Sequence, residues 1–220
     1  MKIQTKNLNK DYIQKKGPSL KVLKDINLEI QPGQKVALIG PSGAGKSTLI
    51  HILGLMDAPT SGKVFIDGVD CFLMNNRYLC DMRKENIGFL FQFHYLLPDF
   101  TVLENILIPV WKNKVAKQKH ALEILEQVGL SSKTNSFPNE LSGGQQQRAA
   151  LARTLINTPK IIFADEPTGN LDRAIGIDIE NLLFDLSTNL GTTLVLVTHN
   201  QELAFRADRI INIVDGKMVR

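Results

Sequence analysis

Cysteine, tryptophan and long apolar runs are all scarce in this chain of 220 residues. Its two cysteines, Cys71 and Cys80, form no metal or redox motif. They read as free thiols of a reducing cytosol rather than as a disulfide. No apolar run approaches the roughly 18 residues of a membrane span, and Met1 to Lys6 lacks the apolar core of a signal peptide. Neither sign of charge dominates. The net charge of +4 allows anionic ligands or an anionic membrane surface, but does not argue for nucleic acid. No internal repeat, low-complexity tract or long linker interrupts the chain. What remains is a composition 43% apolar, enough to bury the core of one large domain or of one with subdomains.

The densest information lies in Gly40-Pro41-Ser42-Gly43-Ala44-Gly45-Lys46-Ser47-Thr48. It fits G-x-x-x-x-G-K-[ST], the Walker A phosphate loop. Residues 35–39 read as a short buried strand, and the helix is expected to open at Thr48, giving the strand–loop–helix context that the motif needs. The glycines let backbone N–H groups crowd around phosphate oxygens, and the following helix adds its positive end. Lys46 can place an ammonium against the outer phosphates and Ser47 a hydroxyl on Mg²⁺. A nucleoside triphosphate is therefore expected here.

Around this loop, residues 2–12 and 20–30 read as strands joined by a charged turn at 14–19. Residues 26, 28 and 30 alternate with polar neighbours, as in a half-buried strand. A strand is expected at 63–67, a polar helix at 75–85 and a buried strand at 87–91. Residues 101–156 read almost entirely helical, with breaks at Pro109, Gly129 and 136–138. Strands follow at 160–164, 192–197 and 209–214. The helix between the first two carries apolar residues at 179, 182, 183, 186 and 190. Strands alternating with helices argue for a parallel sheet. The expected fold is α/β: a phosphate-loop (RecA-like) core with a mainly parallel sheet, an antiparallel β flank, and a helical subdomain inserted at about 93–157 of a single 1–220 domain.

Two further stretches carry chemistry. Ile161 to Ala164 is an apolar run ending in Asp165 and Glu166. In phosphate-loop ATPases the first such acid holds Mg²⁺ through water, and the second can orient the attacking water. Leu141-Ser142-Gly143-Gly144-Gln145-Gln146-Gln147-Arg148 precedes a helix. Ser142 is placed to cap it, and the glycines are expected to expose backbone N–H groups.

That LSGGQQQR run, with the Walker pair around it, resembles the signature of ATP-binding cassette (ABC) ATPases over essentially the whole chain. The resemblance implies a Q-loop glutamine at Gln92, which also reaches the metal, and a D-loop at Asn170-Leu171-Asp172. It implies a switch histidine at His199 and an adenine-stacking aromatic at Tyr12. It further implies that two copies pack head to tail, so that Ser142, Gly143, Gly144 and Gln145 of one reach the ATP held by Lys46 of the other. Glu166, His199, Lys46 and Gln92 would then be the catalytic set, with Ser47, Gln92 and Asp165 serving Mg²⁺.

Residues 91–106, FQFHYLLPDFTVLENI, and 164–172, ADEPTGNLD, are similar to the LolD/MacB/FtsE group of that family, most of all to its lipoprotein-releasing branch. This implies a peripheral subunit on the cytoplasmic face of the inner membrane, with LolC/LolE-like permease partners and no nucleic acid. The aromatic loop at Phe91, Phe93, His94, Tyr95 and Phe100 would receive a partner helix. Lys112, Lys114, Lys117 and Lys119 suit a solvated helix face or an anionic lipid surface. The chain reads as lacking the fused membrane domain of MacB. Alternatives remain: a MacB-like exporter, an FtsE-like division complex, or a DNA-repair or chromosome-structuring ATPase. The last normally carries a coiled coil that is not seen here.

Overall fold

The computed structural model describes residues 1–13, 17 and 19–219. The turn expected at 14–19 lies, apart from Gly17 and Ser19, outside the described residues. In chain order the strands are β1 (Ile3–Tyr12), β2 (Leu20–Ile26), β3 (Glu29–Ile30) and β4 (Lys35–Ile39), followed by helix α1 (Lys46–Leu53). Then come β5 (Ser61–Ile66), β6 (Val69–Asp70), α2 (Asn76–Asn86) and β7 (Ile87–Phe91). Helices α3 (Val102–Leu107), α4 (Lys114–Gln127) and α5 (Gly143–Leu155) lead into β8 (Ile161–Asp165) and α6 (Arg173–Asn189). The chain closes with β9 (Thr193–Val197), α7 (Gln201–Ala204), β10 (Arg209–Val214) and β11 (Lys217–Val219). Contacts divide it into two compact units, Met1–Arg83 with Thr193–Arg220, and Lys84–Thr192.

The first unit holds an antiparallel sheet in the order β2-β1-β5-β6, with β3 also on β1. The strand expected over 20–30 is thus two strands. Asp25 turns to φ 53°, and the Asn27 side chain donates back to Asp25 while accepting from the Asn7 amide. This break moves the chain to a new register on β1. It leaves Ile26, Leu28 and Ile30 buried, so the alternation still sets the inward face. A second group of strands places β4 between β9 and β10, all parallel. β11 returns antiparallel on β10 through Asp215 and Gly216, both at positive φ. A two-residue Asp-Gly loop of this kind matches the right-handed twist of a hairpin.

In the second unit β7 and β8 run parallel, with Phe91 opposite Asp165. Helix α5 packs against β7. Its Thr154 hydroxyl donates to the Phe89 carbonyl at 2.8 Å, and a Cβ at Gly88 would lie 2.6 Å from Thr154 Cγ2. The helical stretch is interrupted near the expected breaks: Ile108–Asn113 is 3-10 around Pro109, and 3-10 turns at Ser131–Lys133 and Pro138–Glu140 follow Gly129 and the 136–138 break. On α6, Ile179, Leu183 and Leu186 are buried as expected, but Leu190 caps the helix and is exposed. Asn105, fully buried on α3, holds the loop before it: its oxygen accepts from the Leu97 amide, and its nitrogen donates to the carbonyls of Leu97, Phe100 and Thr101.

Candidate nucleotide site

The phosphate loop leaves β4 at Gly40 and enters α1 at Lys46, two residues earlier than the opening expected at Thr48. Two glycines are demanded by geometry. Gly40 has φ 141°, and a Cβ there would sit 2.0 Å from the Ile213 carbonyl oxygen. Gly45 caps α1 in the left-handed region at φ 102° and lies against Val22 and Leu23. Any side chain at either position would force the loop open. Lys46 is 5% exposed, and its Nζ donates to the carbonyls of Gly40 and Pro41, each at 2.8 Å. Neither carbonyl bears a formal charge, so these two contacts orient the ammonium without neutralising it. Pro41, Ser42 and Gly43 are exposed, Ala44 is buried, and Ser47 and Thr48 begin the helix.

Tyr12, at the end of β1, sits in the same unit. Its hydroxyl donates to Asp57 Oδ2 at 2.7 Å, and Lys10 Nζ lies 4.7 Å from its ring centroid. Lys10 also bonds Asp57 at 2.8 Å. Burial works against the Asp57 charge, but the bonds from Lys10 and Tyr12 outweigh it and hold the carboxyl below its ordinary range. Partial burial, then Asp57, pushes the Tyr12 hydroxyl upward, against a weaker opposing bond with Thr48. The ring is 40% exposed, positioned rather than loose, and its hydroxyl reaches Thr48 of the phosphate loop.

His199 arrives by register. Leu38 pairs with Val197 across β4 and β9, and the Thr198 amide extends that ladder to the Leu38 carbonyl at 3.2 Å. Gly40 and His199 therefore leave the same end of neighbouring parallel strands, where α/β ligands bind. Asn200 then caps α7.

The second unit gathers the other motifs. Because Phe91 is opposite Asp165, Gln92 and Glu166 emerge together at one end of β7 and β8. Glu166 has φ 46°, an uncommon conformation for a side-chain-bearing residue and one that clusters at functional sites. The Gly169 amide closes the turn on its carbonyl at 3.0 Å. Ser142 caps α5 in a reciprocal box with Gln145: the Gln145 amide donates to Ser142 Oγ, and the Ser142 amide to Gln145 Oε1. Gly143 is exposed as expected. Gly144 is not: it is buried, and a Cβ there would meet Ile175 Cγ2 at 2.4 Å. Close packing on α6, rather than N–H exposure, fixes that glycine. Asp172 caps α6 through its backbone, its carbonyl accepting from the Gly176 amide at 2.8 Å.

Three further side chains, none given a role from the sequence alone, tie this end together. Gln147, fully buried on α5, donates to the carbonyls of Phe91 (3.0 Å) and Pro167. Its Oε1 lies 2.6 Å from His94 Nδ1. Arg153 donates to the carbonyls of His94 (2.7 Å) and Tyr95 (2.6 Å), and burial lowers its pKa. Asn170 exchanges bonds with Gln92. A polar residue on the apolar stripe of a helix, one turn from Leu151 and two from Thr154, was the available signal for Gln147. Phe93 and Tyr95 on the gripped loop remain exposed, at 61% and 64%.

Comparison with known proteins agrees with this geometry. Residues 23–169 match the ABC transporter family. A lipoprotein-releasing system ATP-binding protein LolD from Syntrophus aciditrophicus is 47% identical over 221 residues, spanning 99% of this chain and 98% of that protein. The LolD protein of Bacteroides thetaiotaomicron is 50% identical over 201 residues, 90% of this chain and 92% of that one. Among solved structures, the dimeric ATP-binding cassette MJ0796, in a post-hydrolysis state with ADP and Pi, aligns with a TM-score of 0.90 at 40% identity, covering 99% of this chain and 97% of that one. CbiO1 of Clostridium perfringens, part of an ABC transporter complex, aligns at 0.87 with 25% identity, over 99% and 86% of the two chains. The chain belongs to the ABC transporter family, as one of its ATP-hydrolysing cassettes.

Proposed function

We propose that this cassette powers the release of lipoproteins from a bacterial inner membrane. It acts as a peripheral subunit on the cytoplasmic face, bound to permease subunits of the LolC and LolE type. Supporting this are the LolD names of relatives 43–50% identical to it. The observation that carries the partner side of the reading is the exposed Phe93 and Tyr95 pair on a loop held rigid by Arg153. Preorganised aromatics of this kind suit burial of a partner helix. None of the helices among the described residues is long and apolar enough to cross a membrane.

The residue roles are as follows. Gly40 to Thr48 wraps the phosphates, with Lys46 as their ammonium, and Tyr12 stacks on adenine. Glu166 primes the attacking water and His199 steadies it. Ser47, Asp165 and Gln92 offer a hydroxyl, a carboxylate and an amide oxygen, all hard donors of the kind Mg²⁺ takes. The ion, when bound, would neutralise charge developing on the phosphates. Ser142, Gly143, Gly144, Gln145 and Asp172 serve the nucleotide of a second copy, as the dimeric form of MJ0796 supports by analogy. Residues 93–157 act as a helical insert within one catalytic domain.

Copurification from membranes tests the reading. LolC/LolE-like partners, with ATP-dependent release of a lipoprotein from proteoliposomes, are the expected result. FtsX-like partners would reassign the cassette to division control. ATPase stimulation by DNA would overturn membrane function altogether.

A further inference from the structure

The buried amide of Gln147 touches two segments at once. One is the exposed loop at 92–97; the other is the turn that follows Glu166. We infer that Gln147 is a positioning residue that couples the docking loop to the catalytic carboxylate. This rests on the proposed role of that loop in receiving a partner helix and of Glu166 in priming water.

The chemistry of the amide fixes the direction of each bond. Its nitrogen donates to the carbonyls of Phe91 and Pro167, so its oxygen must accept from His94 Nδ1, 2.6 Å away. That ring nitrogen therefore carries the proton. Phe91 is the last residue of β7, and Pro167 immediately follows Glu166. The path from the loop surface to the carboxylate thus runs through two hydrogen bonds: His94 to Gln147, then Gln147 to the Pro167 carbonyl. It is independent of the Gln92 side chain, which is engaged with Asn170.

His94 is the moving part that a partner would reach. It is half-buried between exposed Phe93 and Tyr95, and its carbonyl is held by Arg153. A helix seated on the two aromatic rings must press on or lift the residue between them. Backbone that is fixed at Arg153 cannot absorb the movement, so the imidazole transmits it to Gln147. At the far end, Glu166 sits at φ 46°. Backbone in that region persists only where its surroundings hold it, so a shift of the neighbouring Pro167 carbonyl bears directly on it.

The test uses full-length chain and four variants, because Gln147→Leu alone buries unpaired carbonyls and can simply misfold. His94→Leu removes the donor, whereas His94→Asn keeps an N–H at the position of Nδ1. In hydrogen exchange of the isolated chain, His94→Leu should raise exchange at residues 166–169 about fivefold and His94→Asn should restore protection. Unchanged exchange at 166–169 in His94→Leu would overturn the coupling. In the complex purified with its membrane subunits, His94→Leu should lower partner-stimulated kcat about tenfold with KM for ATP within twofold of wild type. His94→Asn should regain most of that loss. The double variant with Gln147→Leu should be no worse than Gln147→Leu alone. Equal loss in His94→Asn and His94→Leu would assign the effect to the ring and sink the proposal. A chain that copurifies no membrane subunit would count against the docking role, while the exchange result would still decide the hydrogen-bonded path.

Discussion

Gln92 and Asn170 hold each other through two hydrogen bonds: Gln92 Nε2 donates to Asn170 Oδ1 at 2.8 Å, and Asn170 Nδ2 donates to the Gln92 carbonyl at 3.3 Å. The end of β7 is thereby pinned to the turn after β8. Because the amide nitrogen is committed, the oxygen is the atom that Gln92 can present to a cation. Asn170→Ala releases the side chain at a cost near 1 kcal/mol for the lost bond, which corresponds to about fivefold in rate. ATPase rates titrated with Mg²⁺ should show a higher half-saturating concentration. An unaltered Mg²⁺ titration would remove Gln92 from the metal's ligands.

Tyr12 is held by Asp57 and Lys10 at its polar tip and on its ring, so the hydroxyl and the ring can be separated experimentally. Tyr12→Phe keeps the stacking face and should leave ATP affinity within about twofold, whereas Tyr12→Ala should weaken it by about 1–3 kcal/mol, the usual range for a base on an aromatic ring. Titration with a fluorescent ATP analogue distinguishes the two. Equal affinity in wild type and Tyr12→Ala would return Tyr12 to a purely structural place at the end of β1.

Glu166→Gln preserves the side-chain shape and the backbone turn at φ 46° while removing the base. A general base contributes about 10²–10⁴-fold, so turnover should fall by at least about 10² while ATP binding persists. Trapped ATP should then hold two copies together, and the variant should elute as a dimer by size-exclusion chromatography in ATP and as a monomer without it. Wild-type turnover in this variant would transfer the role of base to another residue.

The elements that sequence made legible are those in which one local rule suffices. The Walker A glycines, the Ser142–Gln145 capping box and the alternation of Ile26, Leu28 and Ile30 each express a constraint contained in a few consecutive residues. β11 carries such a signal too, the Asp215-Gly216 loop that joins it to β10. Gln147 and Arg153 were less legible because their partners are distant in sequence. Gln147 answers carbonyls 56 and 20 residues away, and Arg153 answers carbonyls 58 and 59 residues away. A sequence can show that a polar side chain lies on an apolar helix face. It cannot show which backbone groups that side chain will satisfy. The burial of Gly144 is illegible for a related reason: the side chain that crowds it, Ile175, lies on a different helix.

The two thiols should separate cleanly in their access to a reagent. Cys71 is fully buried, its Sγ–H pointing at the Val69 carbonyl 3.6 Å away. Burial, aided by the neighbouring Asp70 charge, raises its pKa from 9.0 to about 11 against the pull of a backbone bond. Cys80 is exposed, with Arg83 Nη2 3.0 Å from its sulfur. At pH 8 a disulfide reagent should therefore titrate one thiol per native chain, Cys80, and reach the second only on unfolding. The stability consequence follows from the direction of the shift. The folded state keeps the Cys71 proton more tightly than the unfolded state, so this contribution is complete below pH 9 and is lost as pH rises from 9 towards 11. Urea melts across that window should show the midpoint falling in the wild type and a shallower fall in Cys71→Ala. A slope identical in the two proteins would place the alkaline titration elsewhere in the fold.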